Sequence, residues 1–277
     1  MNKLPYLNLG CGITYSNRWT NIDFVSANNE VIAHNLLKGI PCENNSFQVV
    51  YHSHVLEHFP KEKAIEFTRE CYRVLKPGGI IRVAIPDLEQ IAINYIKYLD
   101  EALNKKPGAI EKYEWTIIEM FDQMVRNKTG GEMLKYVSDK NKNNDSFIME
   151  RCGHEAQRMI EAVRKITDSN KLNSITKSNY ISIFKRIQRK IKRKAVHLLL
   201  KDEYDLLEKA RFREGGEIHQ WMYDRYSLGI LLKNSGFKDI AAKSAFESTI
   251  PGWNEFELDV KNGKARKPDS LFMEGVK

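Results

Sequence analysis

The sequence predicts an α/β protein: a doubly wound, mostly parallel sheet with a large helical insertion between its fifth strand and its C-terminal strands. Three patterns lead there. Up to about residue 90, short β-rich runs alternate with turns and a helix, as a doubly wound sheet requires. From Asp87 to about Arg213 the apolar spacing becomes almost wholly helical. Strands then return near the C-terminal end, so one sheet pauses and resumes. Residues 1–90 and 214–277 therefore read as one core, and residues 91–213 as an insertion over it.

The elements follow in order. Tyr6 to Leu9 is a buried strand ending in Gly10-Cys11-Gly12, and Thr20 to Phe24 is a second, with Asp23 at its end. Val31 to Ala33 is a short third. Phe47 to Tyr51 follows the turn-prone Glu43-Asn44-Asn45-Ser46 and reads as a fourth. Apolar residues at Ala64, Ile65, Phe67, Cys71, Tyr72, Val74 and Leu75 make Lys61 to Leu75 a helix, stopped by Lys76-Pro77-Gly78-Gly79. Ile80 to Ile85 is a fifth strand, broken by Pro86. After the insertion come a helix from about Tyr226 to Asn234 and strands at Ile240 to Phe246, Glu257 to Val260 and Leu271 to Val276.

Composition narrows the class. With 277 residues, 42% hydrophobic and 29% charged, the chain has the make-up of a folded globular protein. Its four cysteines, Cys11, Cys42, Cys71 and Cys152, are scattered without a C-x-x-C pair, which suits a reducing cytoplasm better than a disulfide framework. The first apolar run is already strand-like by Leu9, so no export signal is expected, and no window approaches the ~20 apolar residues of a spanning helix. The net charge is +8, and from Lys177 to Lys201 the basic residues meet no Asp or Glu until Asp202. Residues 180–200 are expected to form a basic amphipathic helix, either a solvated lid or a peripheral contact with the inner membrane surface.

The chemistry concentrates at strand ends. Gly10 and Gly12 let backbone approach a nucleotide-like ligand at the carboxyl end of the first strand, and Asp23 at the end of the next can accept hydrogen bonds from ribose hydroxyls. G-C-G-I-T-Y is not G-x-G-x-x-G, and Asp23 comes well before the ~20-residue offset of a dinucleotide site, so a nicotinamide cofactor is not expected.

The ordered motifs L-N-L-G-C-G at 7–12, N-I-D-F at 21–24, S-F-Q-V-V-Y-H-S-H-V-L-E-H at 46–58 and R-V-L-K-P-G-G at 73–79 resemble those of class I S-adenosylmethionine (SAM)-dependent methyltransferases of the type 11 group. The resemblance implies a Rossmann-like sheet and SAM as cofactor, with S-adenosylhomocysteine as product. It places Leu9, Gly10, Cys11 and Gly12 beside the methionine part, Asp23 at the ribose, Asn35 and Leu36 beside the adenine, and His54 next to the cofactor. The chain departs from the pattern in two places. Only ten residues separate Gly12 from Asp23, too few for a full crossover helix, and Asn35 stands where many relatives carry Asp.

His52, His54, Glu57 and His58 form the densest titratable cluster, and its readings stay open: a packed core histidine with a capped loop, a general base, or a divalent-metal site at His54, Glu57 and His58, which is not the favoured reading. On the acceptor side, His58, Asp87 and His219 are candidate acid or base groups, and Glu119, Asp122, Gln123 and Arg126 share helical faces. The stretch 215–225 interleaves glycines, His219 and aromatic residues as a sugar site would, although Trp221, Met222 and Tyr223 also suit a core with Asp224 starting a helix. Similar sequences in this group are associated with surface polysaccharide biosynthesis, which implies O-methylation of a hydroxyl on a sugar or glycan-related acceptor. The fourth strand ends in H-S-H-V-L-E-H and not in an N-P-P-Y-type motif, which speaks against DNA modification by an exocyclic-amine methylase. The rival readings are an RNA methyltransferase, favoured by the basic stretch, and a catalytically inactive SAM-binding regulatory protein.

Overall fold

The computed structural model describes residues 3–277 apart from 27, 140, 143, 169–198 and 201–202. The amphipathic helix expected at 180–200, with its membrane contact, lies outside the described residues except for its last two positions. Strands β1 (Tyr6–Leu9), β2 (Thr20–Asp23), β3 (Val31–Ala33), β4 (Phe47–Ser53) and β5 (Leu75–Pro86) are joined by β6 (Lys238–Lys243) and β9 (Ser270–Val276) in one seven-stranded sheet, while β7 (Val260–Lys261) and β8 (Lys264–Ala265) form a small hairpin before β9. The order is β3-β2-β1-β4-β5-β9-β6. The neighbouring pairs among β1 to β5 are parallel, and β9 runs antiparallel between β5 and β6.

Alternation along the strands gives each face its own core. Leu7, Leu9, Val50, Ile81, Val83 and Met273 face one side, where helix α1 (Lys61–Val74) contributes Phe67 and Cys71, and the helix before β6, α7 (Arg225–Asn234), contributes Leu228 and Leu232. On the other side, Val49 and Tyr51 of β4 pack with Trp19, Ile250, Trp253 and Leu258. The stretch from Gly12 to Thr20 holds turns and no helix. The face above β1 and β4 is instead covered by the chain between β6 and β7, whose single 3-10 turn at Trp253–Phe256 brings Trp253 to 5.9 Å from Trp19 and 5.0 Å from Tyr51 between ring centroids.

Buried Arg82 fastens that cover. It is fully enclosed, reaches Asp259 and Glu274 at 2.7 Å each, and donates to the carbonyls of Ser244 and Glu247. Asp259 also accepts from the Tyr51 hydroxyl at 2.5 Å. A guanidinium removed from water is costly unless its fork is filled, and here four acceptors from three parts of the chain fill it.

Between β5 and α7 lie α2 (Leu88–Leu103), α3 (Ala109–Val125), α4 (Gly131–Ser138), α5 (Asp145–Asp168, broken at Gly153) and α6 (Tyr204–Arg213). They build a second core from Tyr98, Trp115, Tyr136, Phe147, Ile148, Ala156 and Ile160. The polar residues noted on α3 act as ties. Asp122 accepts from the Glu132 N–H at 2.7 Å at the start of α4 and pairs with Arg126 at 3.1 Å, and Glu119 pairs with Arg151 of α5.

Some boundaries differ from expectation. Lys76-Pro77-Gly78-Gly79 is the irregular start of β5 and not a separate turn: Leu75 already pairs with Phe47, the register shifts before Val49, and the Gly78 N–H donates to the Lys277 carbonyl. β6 stops at Lys243, short of Phe246, because the Ser244 carbonyl turns to Arg82. Glu257 is not in a strand; it ends the 3-10 turn with φ +51.

Candidate functional site

The carboxyl ends of β2, β1 and β4 lie side by side at one edge of the sheet. Gly10 and Gly12 both have positive φ, +62 and +54, but for different reasons. A Cβ on Gly10 would lie 2.3 Å from Val55 Cγ2, so this glycine permits close packing of the loop after β4. A Cβ on Gly12 would meet nothing within 4 Å, so this glycine borders open space. The Gly12 N–H donates to Asp23 Oδ2 at 2.7 Å, and the Val25 N–H to Oδ1 at 3.3 Å, so Asp23 orders both turns. Beyond them, Ile13, Phe24, Val25 and Leu37 are exposed apolar side chains on the three successive loops. Asn35 caps the 3-10 turn Leu36–Lys38 by accepting from the Leu37 N–H. A glycine edge, a carboxylate with unused lone pairs and flanking apolar side chains fit an adenosine with its ribose.

Leu9 is wholly buried, so only its backbone can face a ligand, and burial, followed by the charge of Asp23, pushes the Cys11 thiol up to about 12. Cys11 is a packing residue and not a thiolate.

β4 ends in a strained corner. His54 has φ +54, an uncommon conformation for a residue with a Cβ. Its N–H donates to the Ala84 carbonyl, its Nε2 is 2.7 Å from Ser270 Oγ, and its Nδ1 is 3.4 Å from Glu57 Oε1. Burial, reinforced by Lys267, His219 and His58, holds the His54 imidazole neutral well below the usual histidine range. Glu57 is fully enclosed with neither oxygen hydrogen-bonded, and burial raises its carboxyl to about 8. The His54–Glu57 approach is therefore not an ion pair. His52 points to the other face, against Phe67, with both ring nitrogens unpartnered and burial lowering it to about 3.

Behind His54 stand His58 and His219, their rings 5.0 Å apart. The Ile218 carbonyl is 3.0 Å from His58 Nδ1, and the Glu57 carbonyl accepts from the Gln220 N–H at 2.6 Å. Burial depresses both imidazoles, His219 to about 3. Asp87 is the N-cap of α2, accepting from the Glu89 and Gln90 N–H groups. Asp224 caps α7 in a reciprocal box with Ser227, Tyr223 is buried, and Trp221 stays partly exposed beneath Lys61.

A cavity of about 610 Å³ opens beside this corner. Gly10, Gly12 and His54 line its inner side, and Tyr51 and Asp259 also contribute. α5 supplies His154, Gln157 and Arg158, and the turn before β9 supplies Arg266 and Lys267. Of the residues singled out in the sequence, His58, Asp87 and His219 do not contribute to this lining, and neither do Asp23, Asn35 and Leu36.

The model of a family described as a methyltransferase domain matches residues 7–83, from β1 into β5. Over residues 7–83 the chain carries a methyltransferase domain. No curated protein matches the sequence. Among solved structures, the methyltransferase is similar to a SAM-dependent methyltransferase from Archaeoglobus fulgidus (11% identity, 100% of this chain and 86% of that one, TM-score 0.37). Another SAM-dependent methyltransferase, from Thermotoga maritima, gives 11% identity over 98% of this chain and 81% of that one, with a TM-score of 0.37. Likenesses of this size carry no argument about the acceptor.

The methyltransferase's outer cavity wall was not legible in its sequence. Gly153 could have signalled it: a Cβ there would lie 2.4 Å from the Arg266 carbonyl, so the glycine lets α5 dock on the turn before β9. Nothing local in the sequence marks Asp259 or Ser270 as neighbours of the site.

Proposed function

We propose that the methyltransferase moves the methyl group of SAM to a hydroxyl of a sugar or glycan-related intermediate. The observation that carries this reading is the cavity: it adjoins the glycine turn, and its walls are rich in hydrogen-bonding and charged side chains, as a hydroxyl-bearing acceptor needs. Bound SAM supplies a methyl group already activated on a sulfonium. The protein's work is to align the acceptor oxygen, keep water out and take the hydroxyl proton. Gly10 and Gly12 would border the donor, Asp23 would hold its ribose, and Asn35 and Leu36 would flank its adenine. His54 is the member of the β4 cluster that lines the cavity, and in this reading it takes the hydroxyl proton as the new C–O bond forms and the C–S bond breaks. His58 and His219 stand behind that corner, and Asp87 caps α2.

Incubation with methyl-labelled SAM and a panel of sugar nucleotides, lipid-linked glycans, RNA and protein tests this. Label in an ether on a sugar oxygen is expected. Label only in RNA or protein would refute the acceptor reading and leave the donor site standing.

A further inference from the structure

Two segments 160 residues apart meet behind His54. Glu57 and His58 lie in the single 3-10 turn Leu56–His58 after β4, and His219 lies in the stretch before α7. One donor atom from each lies within 4.8 Å of the other two. Glu57 is 0% exposed, and neither of its carboxyl oxygens has a hydrogen-bond partner; the nearby Tyr223 hydroxyl is likewise buried and unpartnered. Buried carboxyl groups are nearly always satisfied, so this one calls for a partner.

His54 Nδ1 approaches Oε1 to 3.4 Å without making a hydrogen bond, and the nearby cations are engaged elsewhere. Arg126 is paired with Asp122 at 3.1 Å and Glu217 at 3.3 Å, and Lys267 with Glu155 at 2.9 Å. The backbone meanwhile fixes the donors in place. The Gln220 and Trp221 N–H groups donate to the Glu57 carbonyl, the His219 N–H donates to the Gln123 carbonyl, and the Ile218 carbonyl holds His58 through Nδ1. A ring nitrogen bonded to a backbone carbonyl sets the tautomer and leaves the other nitrogen as a lone-pair donor, the usual arrangement around a ligating histidine.

We propose that Glu57, His58 and His219 bind one divalent transition cation of the zinc class. Two imidazoles and one carboxylate suit Zn²⁺ and its first-row neighbours, whereas Mg²⁺ and Ca²⁺ prefer oxygen donors. Ligand atoms about 2 Å from a cation stand roughly 3.3 Å apart in a tetrahedral shell, so closing these three onto an ion takes movements of the order of 1 Å. His54 is not in the set: it is adjacent in the sequence motif and its Nδ1 is 3.4 Å from Glu57 Oε1, but the group whose ligand atoms all lie within 4.8 Å of one another is Glu57, His58 and His219. The cation ties the turn after β4 to the stretch before α7 and so braces the corner that carries His54. With three protein ligands, a tetrahedral ion keeps one position for water or another donor.

The test uses the full-length protein, stripped with a chelator, dialysed and titrated with ZnCl₂ by calorimetry. One equivalent should bind. Glu57→Gln and His219→Ala should each weaken it by at least about 100-fold, more than loss of an outer-shell partner does, while His154→Ala leaves it unchanged. Co²⁺ added to the stripped wild-type protein should give the strong visible absorption of a four-coordinate ion, a readout that needs no variant to fold. The variants' affinity for S-adenosylhomocysteine checks that they are folded. No binding by the wild-type protein, or binding that survives both substitutions and so belongs to another group such as Glu119, Cys152 and Asp269, would overturn the proposal. The result does not depend on which acceptor is methylated.

Discussion

Asp23→Ala separates the donor site from the rest of the protein. A carboxylate has room for about four hydrogen bonds, and the Gly12 and Val25 N–H groups occupy two of them. Two remain for the hydroxyls of a ribose. Hydrogen bonds to a charged group are worth about 1.5–3 kcal/mol each, and because Asp23 is partly exposed the lower end applies. Losing one or two such bonds should weaken S-adenosylhomocysteine by about 10- to 100-fold. Asp23→Asn keeps one acceptor oxygen, which can serve Gly12 or the ribose but not both fully, so it should fall between. Calorimetric titration at fixed ionic strength measures all three proteins, with thermal melts to confirm folding. NADH should not compete. An Asp23→Ala protein that melts normally and binds as tightly as the wild type would refute the ribose assignment, whatever the acceptor.

Other outcomes follow from single contacts. Gly10→Ala should cost at least about 1–2 kcal/mol in denaturant unfolding from the left-handed backbone alone, plus the collision with Val55; adding Val55→Ala should relieve the second part only, and full recovery would refute the strain argument. His54→Ala should bind S-adenosylhomocysteine within about one order of magnitude of wild type yet lose about 10²–10⁴ in turnover on a working acceptor, and unimpaired turnover would remove it as base. His52 is held neutral in the fold down to about pH 3, so as pH drops below its ordinary 6.5 the unfolded chain takes up the proton first and stability is lost, by about 2–3 kcal/mol near pH 4.5. His52→Leu should flatten that slope in urea melts between pH 7 and 4.5, and parallel slopes would show the loss lies elsewhere. Gly153→Ala should push α5 off the Arg266 carbonyl and raise the acceptor KM more than it weakens donor binding; equal effects on both would argue that α5 is not the acceptor wall.

The sheet's first half was legible because its signals are local. Leu7 and Leu9, or Val50 and Ile81, sit in short apolar runs bounded by glycines and turns, and Asp23 follows the glycine turn at a distance that already excluded a crossover helix. What replaces that helix was not legible. Residues 244–259 have no period to read, and Trp253 finds Trp19 only through tertiary packing. Arg82 is a lone charged residue in an apolar strand, and nothing local reveals its partners, which lie 177 and 192 residues away. The histidine cluster was found, but its geometry was not. Adjacency suggested His54 with Glu57 and His58, while the fold turns His54 toward Ser270 and brings His219 in its place.

These observations tie the missing crossover helix to the shape of the acceptor side. A short connection after β1 leaves a sheet face bare, and an uncovered face carrying Val49 and Tyr51 must be buried for the sheet to be stable. The chain between β6 and β9 supplies the cover, pinned at Arg82 through Asp259 and Glu274. Having crossed the face, it climbs back through β7 and β8 to the top of the sheet, where the Arg266 carbonyl accepts from the His154 N–H and Ser270 meets His54. The same segment that compensates for the absent helix thus supports α5 from below and fixes the histidine at the cavity's inner edge. Substitutions in this cover, though remote from Gly12 and Asp23, should therefore change the acceptor KM or turnover more than S-adenosylhomocysteine affinity, because α5 and His54 are both hung from it.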